Sequence, residues 1–337
     1  MFEPAPGVKL LPRRRLLSLG AAAALALPDA ARAAPSLPLG STLDLRNATL
    51  MRKVVFSSVP AFATLLGPRK ARAMNDPGFA WRAGLMSPEL YHQGNRPNWS
   101  GINDTIEIGA YPNAQQIAAL GRSPFIVDRG SLVIRASLLP DVVRAGLPQR
   151  LQNRLWMSGA MNTWPFSQTY GVFSLTAQAS RGNPLWPAFW LLPTDMSWPP
   201  ECDVFEWLGG LPTNYQFGLL SKDPAYPKPM RGSKRAEGPD WSAAPVTVTV
   251  DWGPTETRFY VGRPGEAATL MNSRPTPSDM SKPMYVTINL AIGGPNSWPA
   301  LQPHYDHKPN LPMPAEPHFR LIDFAVWDRP EYRDARG

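Results

Sequence analysis

The run VTVTVDW, residues 246–252, puts Val246, Val248, Val250 and Trp252 on one side of an extended chain and Thr247, Thr249 and Asp251 on the other. Strand side chains alternate faces with a period of two, so this is the pattern of a half-buried strand. The turn GPTE, 253–256, then leads into TRFYVG, 257–262, which together read as a hairpin. SLVIRASL, 131–138, sets Leu132, Ile134, Ala136 and Leu138 against Val133, Arg135 and Ser137. MYVTINLAIGG, 284–294, sets Met284, Val286, Ile288, Leu290 and Ile292 against Tyr285, Thr287, Asn289 and Ala291. FRLIDFAVWD, 319–328, closes the series as a last strand. Helical periodicity is scarce, and 40 prolines and 26 glycines among 337 residues favour short elements and many turns. The expected fold class is therefore all-β, an antiparallel sandwich.

The N-terminus has a different character. Arg13 to Arg15 form a basic patch, Leu16 to Leu27 a short apolar run, and Ala31-Arg32-Ala33 a small-x-small cleavage pattern. These are the parts of an export signal in their usual order, and the arginines with Leu16 and Leu17 fit a twin-arginine address. The apolar run is too short to span a bilayer. The expected location is periplasmic or extracellular. The whole chain carries 34 Lys and Arg against 26 Asp and Glu; without residues 1–33 the balance is 29 against 24. The remaining positive charge is modest and not interleaved with aromatics, which argues against a nucleic-acid partner. Cys202 is the only cysteine, so the fold must rely on its core rather than on an intramolecular disulfide. Lying between two acids, Cys202 is expected to be a core residue with a raised pKa rather than a nucleophile.

The most chemically loaded stretch is WPPECDVFEWLGG, 198–210, with Glu201, Asp203 and Glu206 inside a strand-like run. Glu201 and Asp203 share parity, whereas a regular strand would turn Glu206 to the other face. One β-bulge residue would restore it; Phe205 is the expected insertion. Three carboxylates in one row cannot all ionise comfortably, so at least one pKa should rise. A raised pKa suits a general acid. Two carboxylates about 5–5.5 Å apart are what retaining glycoside hydrolysis uses. A solvated acidic face or a calcium site is the alternative reading of the six residues alone.

The surroundings bear on that choice. Tyr170-Gly171, Phe173, the run LWPAFWLLP at 185–193, Trp198-Pro199-Pro200 and the Glu-x-Asp-x-x-Glu of 201–206 together resemble glycoside hydrolase family 16, the laminarinase and β-1,3(4)-glucanase group. DRGSLVIRAS (128–137), VDWGPTETRFYVG (250–262) and YVTINLAIGGPNSWP (285–299) resemble further strands of that family, in order over roughly 104–328. The resemblance implies a β-jelly-roll sandwich of the concanavalin A type with a glycan groove on its concave sheet. It implies Glu201 as nucleophile, Asp203 as its helper and Glu206 as acid/base, with retention through a covalent glycosyl-enzyme. No cofactor is implied as required, and no catalytic metal. Asp323 matches a calcium-ligand position in the last strand, so a structural calcium stays open. The bulged spacing resembles the laminarinase branch rather than the Glu-x-Asp-x-Glu form of lichenases. Departures occur at FSLT, where Ser174 and Thr176 replace a Glu and an Arg of the family, and in 214–223, which lacks a His that the family often carries. The domain plan that follows is an export signal at 1–33, N-terminal strands and an irregular extension at 34–103, and the catalytic sandwich at 104–337.

Trp186 and Trp190 share strand parity and could stack on sugar rings, or could be core residues; Trp298, in a Gly/Pro-rich loop, is a further candidate platform. Asn289, on the polar face of its strand, could meet sugar or satisfy a buried carbonyl. His304 and His307 form an H-x-x-H pair without a third ligand at readable spacing, a poor zinc site. The expected protein is a secreted monomeric endo-glycosidase with a polysaccharide as its partner, cutting a β-1,3 or mixed β-1,3/1,4 glucan. An exopolysaccharide-trimming endoglycanase, a transglycosylase at the same site, or a non-catalytic glycan binder of the same fold are the alternatives.

Overall fold

The structure is a computed structural model that describes residues 37–63, 70–86, 99–101, 107–225, 234–294 and 312–336. The segment 1–33 therefore lies outside the described residues, as do Trp298, His304 and His307.

Two antiparallel sheets carry the fold. The first runs, edge to edge, through Lys234–Glu237, Asn214–Leu220, Glu201–Glu206, Leu185–Pro193, Met284–Ile292, Ala160–Asn162 and Arg82–Ala83. The second runs through Thr269–Pro275, Glu256–Gly262, Val246–Trp252, Gly171–Ala179, His318–Asp328, Ser131–Arg135 and Phe125–Asp128, with Thr49–Val55 also paired to His318–Asp328. Neighbours in each sheet are often distant in sequence: Leu185–Pro193 lies between Glu201–Glu206 and Met284–Ile292, and Gly171–Ala179 between Val246–Trp252 and His318–Asp328. This is the crossover pattern of a jelly roll.

The alternating runs fill the space between the sheets. Val246, Val248, Val250 and Trp252 from one sheet, and Val286, Ile288, Leu290 and Ile292 from the other, belong to a single buried cluster with Phe173, Leu175, Phe189 and Leu191. Aromatics thicken it: Trp207 stacks on Trp241 with ring centroids 4.8 Å apart and on Phe205 at 4.3 Å. Burying each such side chain contributes roughly 1.5–3 kcal/mol. The hairpin at 253–256 is present, pairing Trp252 with Thr257.

One expectation needs correction, and two further features add to the reading. The strand at 131–138 stops at Arg135; Ser137–Leu138 joins a separate small sheet, and Leu138 is exposed rather than buried. The last strand holds a bulge, since its register moves between Thr176 and Ala177 of its partner and skips Ile322. This lets Phe319 and Leu321, then Phe324 and Val326, all reach the core. Finally, Ser174 and Thr176 sit on the sheet that does not carry the acids, turned away from the core residues Phe173 and Leu175. There Thr249 donates to Ser174, and Thr176 bonds Thr247 and donates to Asp323 at 3.1 Å. The FSLT departure thus bears on this outer face and not on the acidic strand.

Candidate active site

The strand Glu201–Glu206 holds the bulge that parity required. It pairs with its neighbour as Leu191↔Cys202, Trp190↔Asp203, Phe189↔Phe205 and Ala188↔Glu206. Val204 is the residue left without a partner, so the insertion is Val204 and not Phe205. Both side chains point into the core with Cys202, all fully buried. Two core-facing neighbours in succession turn Glu206 back to the face of Glu201 and Asp203.

On that face Asp203 is buried, whereas Glu201 and Glu206 are partly exposed. Trp198 donates its indole N–H to Glu201 Oε2 at 2.6 Å, and Asp203 hydrogen-bonds the same carboxylate. Trp186 donates from Nε1 to Glu206 Oε1 at 3.0 Å. Asp203 fits because its cross-strand neighbour is Gly218, where any Cβ would collide with Asp203 Oδ2. Gln216, fully buried, pairs with Glu206 and accepts from Arg235 Nε at 3.3 Å.

Burial dominates the titration of the three acids. It pushes Glu206 up to about 8, with the Glu201 charge adding to the shift and the Trp186 hydrogen bond opposing it. Asp203 lies well above the usual carboxylate range, from burial first and then the charges of Glu201 and Glu206. Glu201 is also raised by burial, but the hydrogen bonds from Asp203 and Trp198 favour its anion. The arrangement offers one carboxylate supplied with donors beside one acid that keeps its proton near neutrality, the division that paired acid/base chemistry needs. Cys202 is buried, and its thiol is pushed up by burial and by Asp203 and Glu201.

Trp186 and Trp190 are half-buried on the same face of Leu185–Pro193. Asn289 is buried behind Trp190, accepting its indole N–H at 2.8 Å and donating to the Tyr111 hydroxyl. Both ends of its amide are thus engaged with protein. Trp198, Gln216, Gly218 and Tyr111 were not singled out by sequence. Only Trp198 carried a signal, its place three residues before Glu201. Among the described residues, no group of three or more His, Cys, Asp or Glu side chains could hold a metal ion. No helix among them is long and apolar enough to cross a membrane.

Comparison with known proteins bears on the family and the fold. Endo-1,3-1,4-beta-glycanase EglC of Rhizobium meliloti (strain 1021) is 34% identical over 200 residues, covering 57% of this chain and 38% of that protein. Endo-1,3-1,4-beta-glycanase ExsH of the same organism is 34% identical over 173 residues, covering 51% of this chain and 35% of that protein. The matched region is thus little more than a third of the length of either relative. SCLam, a non-specific endo-beta-1,3(4)-glucanase, superposes with a TM-score of 0.59 at 18% identity, covering 87% of this chain and 96% of that chain. The catalytic domain of an endo-1,3-beta-glucanase (laminarinase) from Thermotoga petrophila RKU-1 gives 0.55 at 17% identity, covering 84% and 98%. At such identity these two likenesses speak for the fold alone. The family model described as glycosyl hydrolases family 16 matches residues 136–307, a span that contains the whole acidic strand and every other strand of its sheet except Arg82–Ala83. The chain belongs to the glycosyl hydrolases family 16.

Proposed function

We propose that the chain is an exported, retaining, endo-acting hydrolase of a β-1,3 or mixed β-1,3/1,4 glucan, working through a covalent glycosyl-enzyme on Glu201. The observation that carries the reading is the unequal footing of the two outer acids. Glu201 receives donors from Trp198 and Asp203, while Glu206 holds its proton up to about 8. In this route a Glu201 oxygen attacks the anomeric carbon as the glycosidic C–O bond breaks, and Glu206 gives its proton to the departing oxygen. Glu206, now a carboxylate, then takes a proton from water as that water attacks the anomeric carbon and frees Glu201. Asp203 stays protonated and steadies Glu201 by its hydrogen bond.

Trp186, Trp190 and Trp198 offer aromatic surface on or beside the same sheet face, and we assign them to sugar stacking. Trp298 is proposed as a further platform on its sequence context. Asn289 is assigned an indirect part, through Trp190. Support for the linkage comes from the names of the two Rhizobium relatives, both endo-1,3-1,4-beta-glycanases. Support for export comes from the basic, apolar and small-residue order of residues 1–33. Export then removes the segment 1–33, and the enzyme acts as a monomer.

The test incubates residues 34–337 and a Glu201→Gln variant with β-1,3-, mixed β-1,3/1,4- and acidic bacterial glucans. New reducing ends from the parent and none from the variant are expected. Binding without cleavage across the panel would replace the hydrolase with a glycan-binding protein.

A further inference from the structure

Behind Trp190 runs a line of buried polar groups that the proposed chemistry does not use. Trp190 Nε1 donates to Asn289 Oδ1 at 2.8 Å, Asn289 Nδ2 donates to the Tyr111 hydroxyl at 3.3 Å, and Tyr111 donates to Glu107 Oε2 at 2.9 Å. Tyr111 is fully buried, Glu107 is 1% exposed and Asn289 2%. The direction of the line is set by chemistry. An indole N–H only donates, so Asn289 must turn its oxygen to Trp190 and its nitrogen to Tyr111, which leaves the phenolic proton for the Glu107 carboxylate.

Taking an amide, a phenol and a carboxylate out of water is costly unless each is paired, and apolar residues could fill the same space. What the line supplies that apolar packing would not is a fixed rotation of the Trp190 indole, because one ring edge must meet Asn289. Its far end is anchored in main chain: Tyr111 exchanges both backbone hydrogen bonds with Ser100, and Glu107 bridges Gly293 just past the Met284–Ile292 strand. Its near end sits among the acids, since Trp190 is the register partner of Asp203, and Asn289 pairs with Ala188, the partner of Glu206.

We propose that Glu107, Tyr111 and Asn289 are positioning residues that hold the Trp190 ring at the angle from which it receives a sugar of the glucan. This rests on the hydrolase reading above. The line touches no reacting atom, so it acts on substrate binding and not on proton transfer.

A double-mutant cycle tests it, with Trp190→Ala, Tyr111→Phe and the pair, each confirmed folded by its thermal midpoint, assayed on a soluble mixed-linkage β-glucan. Glu107→Gln takes the place of Tyr111→Phe if the latter does not fold. Tyr111→Phe is expected to raise KM about three- to tenfold with kcat within about twofold of the parent. The pair should be no worse than Trp190→Ala alone, because Tyr111 then has no ring to hold. The alkaline limb of the kcat profile should not move. An unchanged KM in folded Tyr111→Phe, or additive losses in the pair, overturns the inference. A parent that cleaves nothing fails the hydrolase reading instead; the same cycle is then read from oligosaccharide dissociation constants, with the same two outcomes.

Discussion

Trp198 donates its indole N–H to Glu201 Oε2 across 2.6 Å while 53% of its own surface stays exposed. Its loop is pinned from two sides: Lys222 Nζ donates to the Trp198 carbonyl at 2.8 Å, and Lys282 Nζ reaches Asp195 Oδ2 at 3.0 Å. An aromatic that donates to the Glu201 carboxylate on one edge and leaves a face open can serve orientation and sugar contact together. Trp198→Phe keeps the face and removes the donor. Losing a donor to the anion raises the Glu201 pKa further, so the acid limb of kcat/KM should move to higher pH. The rate at the optimum should fall about ten- to hundredfold, the worth of a hydrogen bond to a charged group. A pH–rate profile on both proteins checks this.

Trp186 plays the corresponding part for Glu206, whose pKa of about 8 its hydrogen bond pulls down. Removing that donor in Trp186→Phe raises the pKa. The alkaline limb of kcat, where the acid loses its proton, is expected near pH 8 in the parent and at higher pH in the variant. Glu206→Gln should lose about 10²- to 10⁴-fold in kcat.

The same shift makes the site costly for stability at alkaline pH. Glu206 ordinarily titrates near 4.5 and is raised to about 8 in the fold, so the folded state binds the extra proton throughout that window. Its contribution is complete below 4.5 and is lost as pH rises through 8. Asp203, raised well above its ordinary value by burial, acts with the same sign. Thermal midpoints should therefore fall from acid to alkaline pH. Glu206→Gln, which cannot ionise, should melt about 2–4 °C above the parent at pH 9 and show a smaller difference at pH 5.

Gly218 is where the neighbouring strand makes way for Asp203. A methyl group there would lie far inside contact distance of Asp203 Oδ2. Gly218→Ala should push Asp203 off Glu201 and lower kcat at least about tenfold, with a smaller change in KM. Kinetics on the folded variant decide it.

Most of the sandwich was legible because its core strands alternate so regularly: Val246 to Trp252 and Met284 to Ile292 reach the core where parity sent them. The row of acids was legible too, since only a bulge reconciles Glu206 with Glu201. The identity of the bulged residue was not. Val204 and Phe205 are both apolar, and only the pairing of Phe189 with Phe205 distinguishes them. Leu138 misled because alternation continues in sequence past the point where the strand leaves its sheet. Residues 34–100 resist reading, yet Thr49–Val55 pairs with Asp323 to Asp328 of the last strand. Its exposed Leu50 and Val55 and its charged Arg52 and Lys53 blur the period of two. The Glu107–Tyr111–Asn289 line was hidden because it joins residues far apart in sequence, as such buried networks do.

The central claim is that Glu201 forms the covalent bond to sugar. Incubation with a 2-deoxy-2-fluoro-β-glucosyl fluoride extended by one β-1,3-linked glucose, followed by intact-mass and peptide analysis, tests it most directly. One added fluoroglycosyl group, esterified to Glu201, is expected in the parent, and none in Glu201→Gln. A label on Glu206, or unlabelled enzyme whose glucan products appear with inverted anomeric configuration, would contradict it.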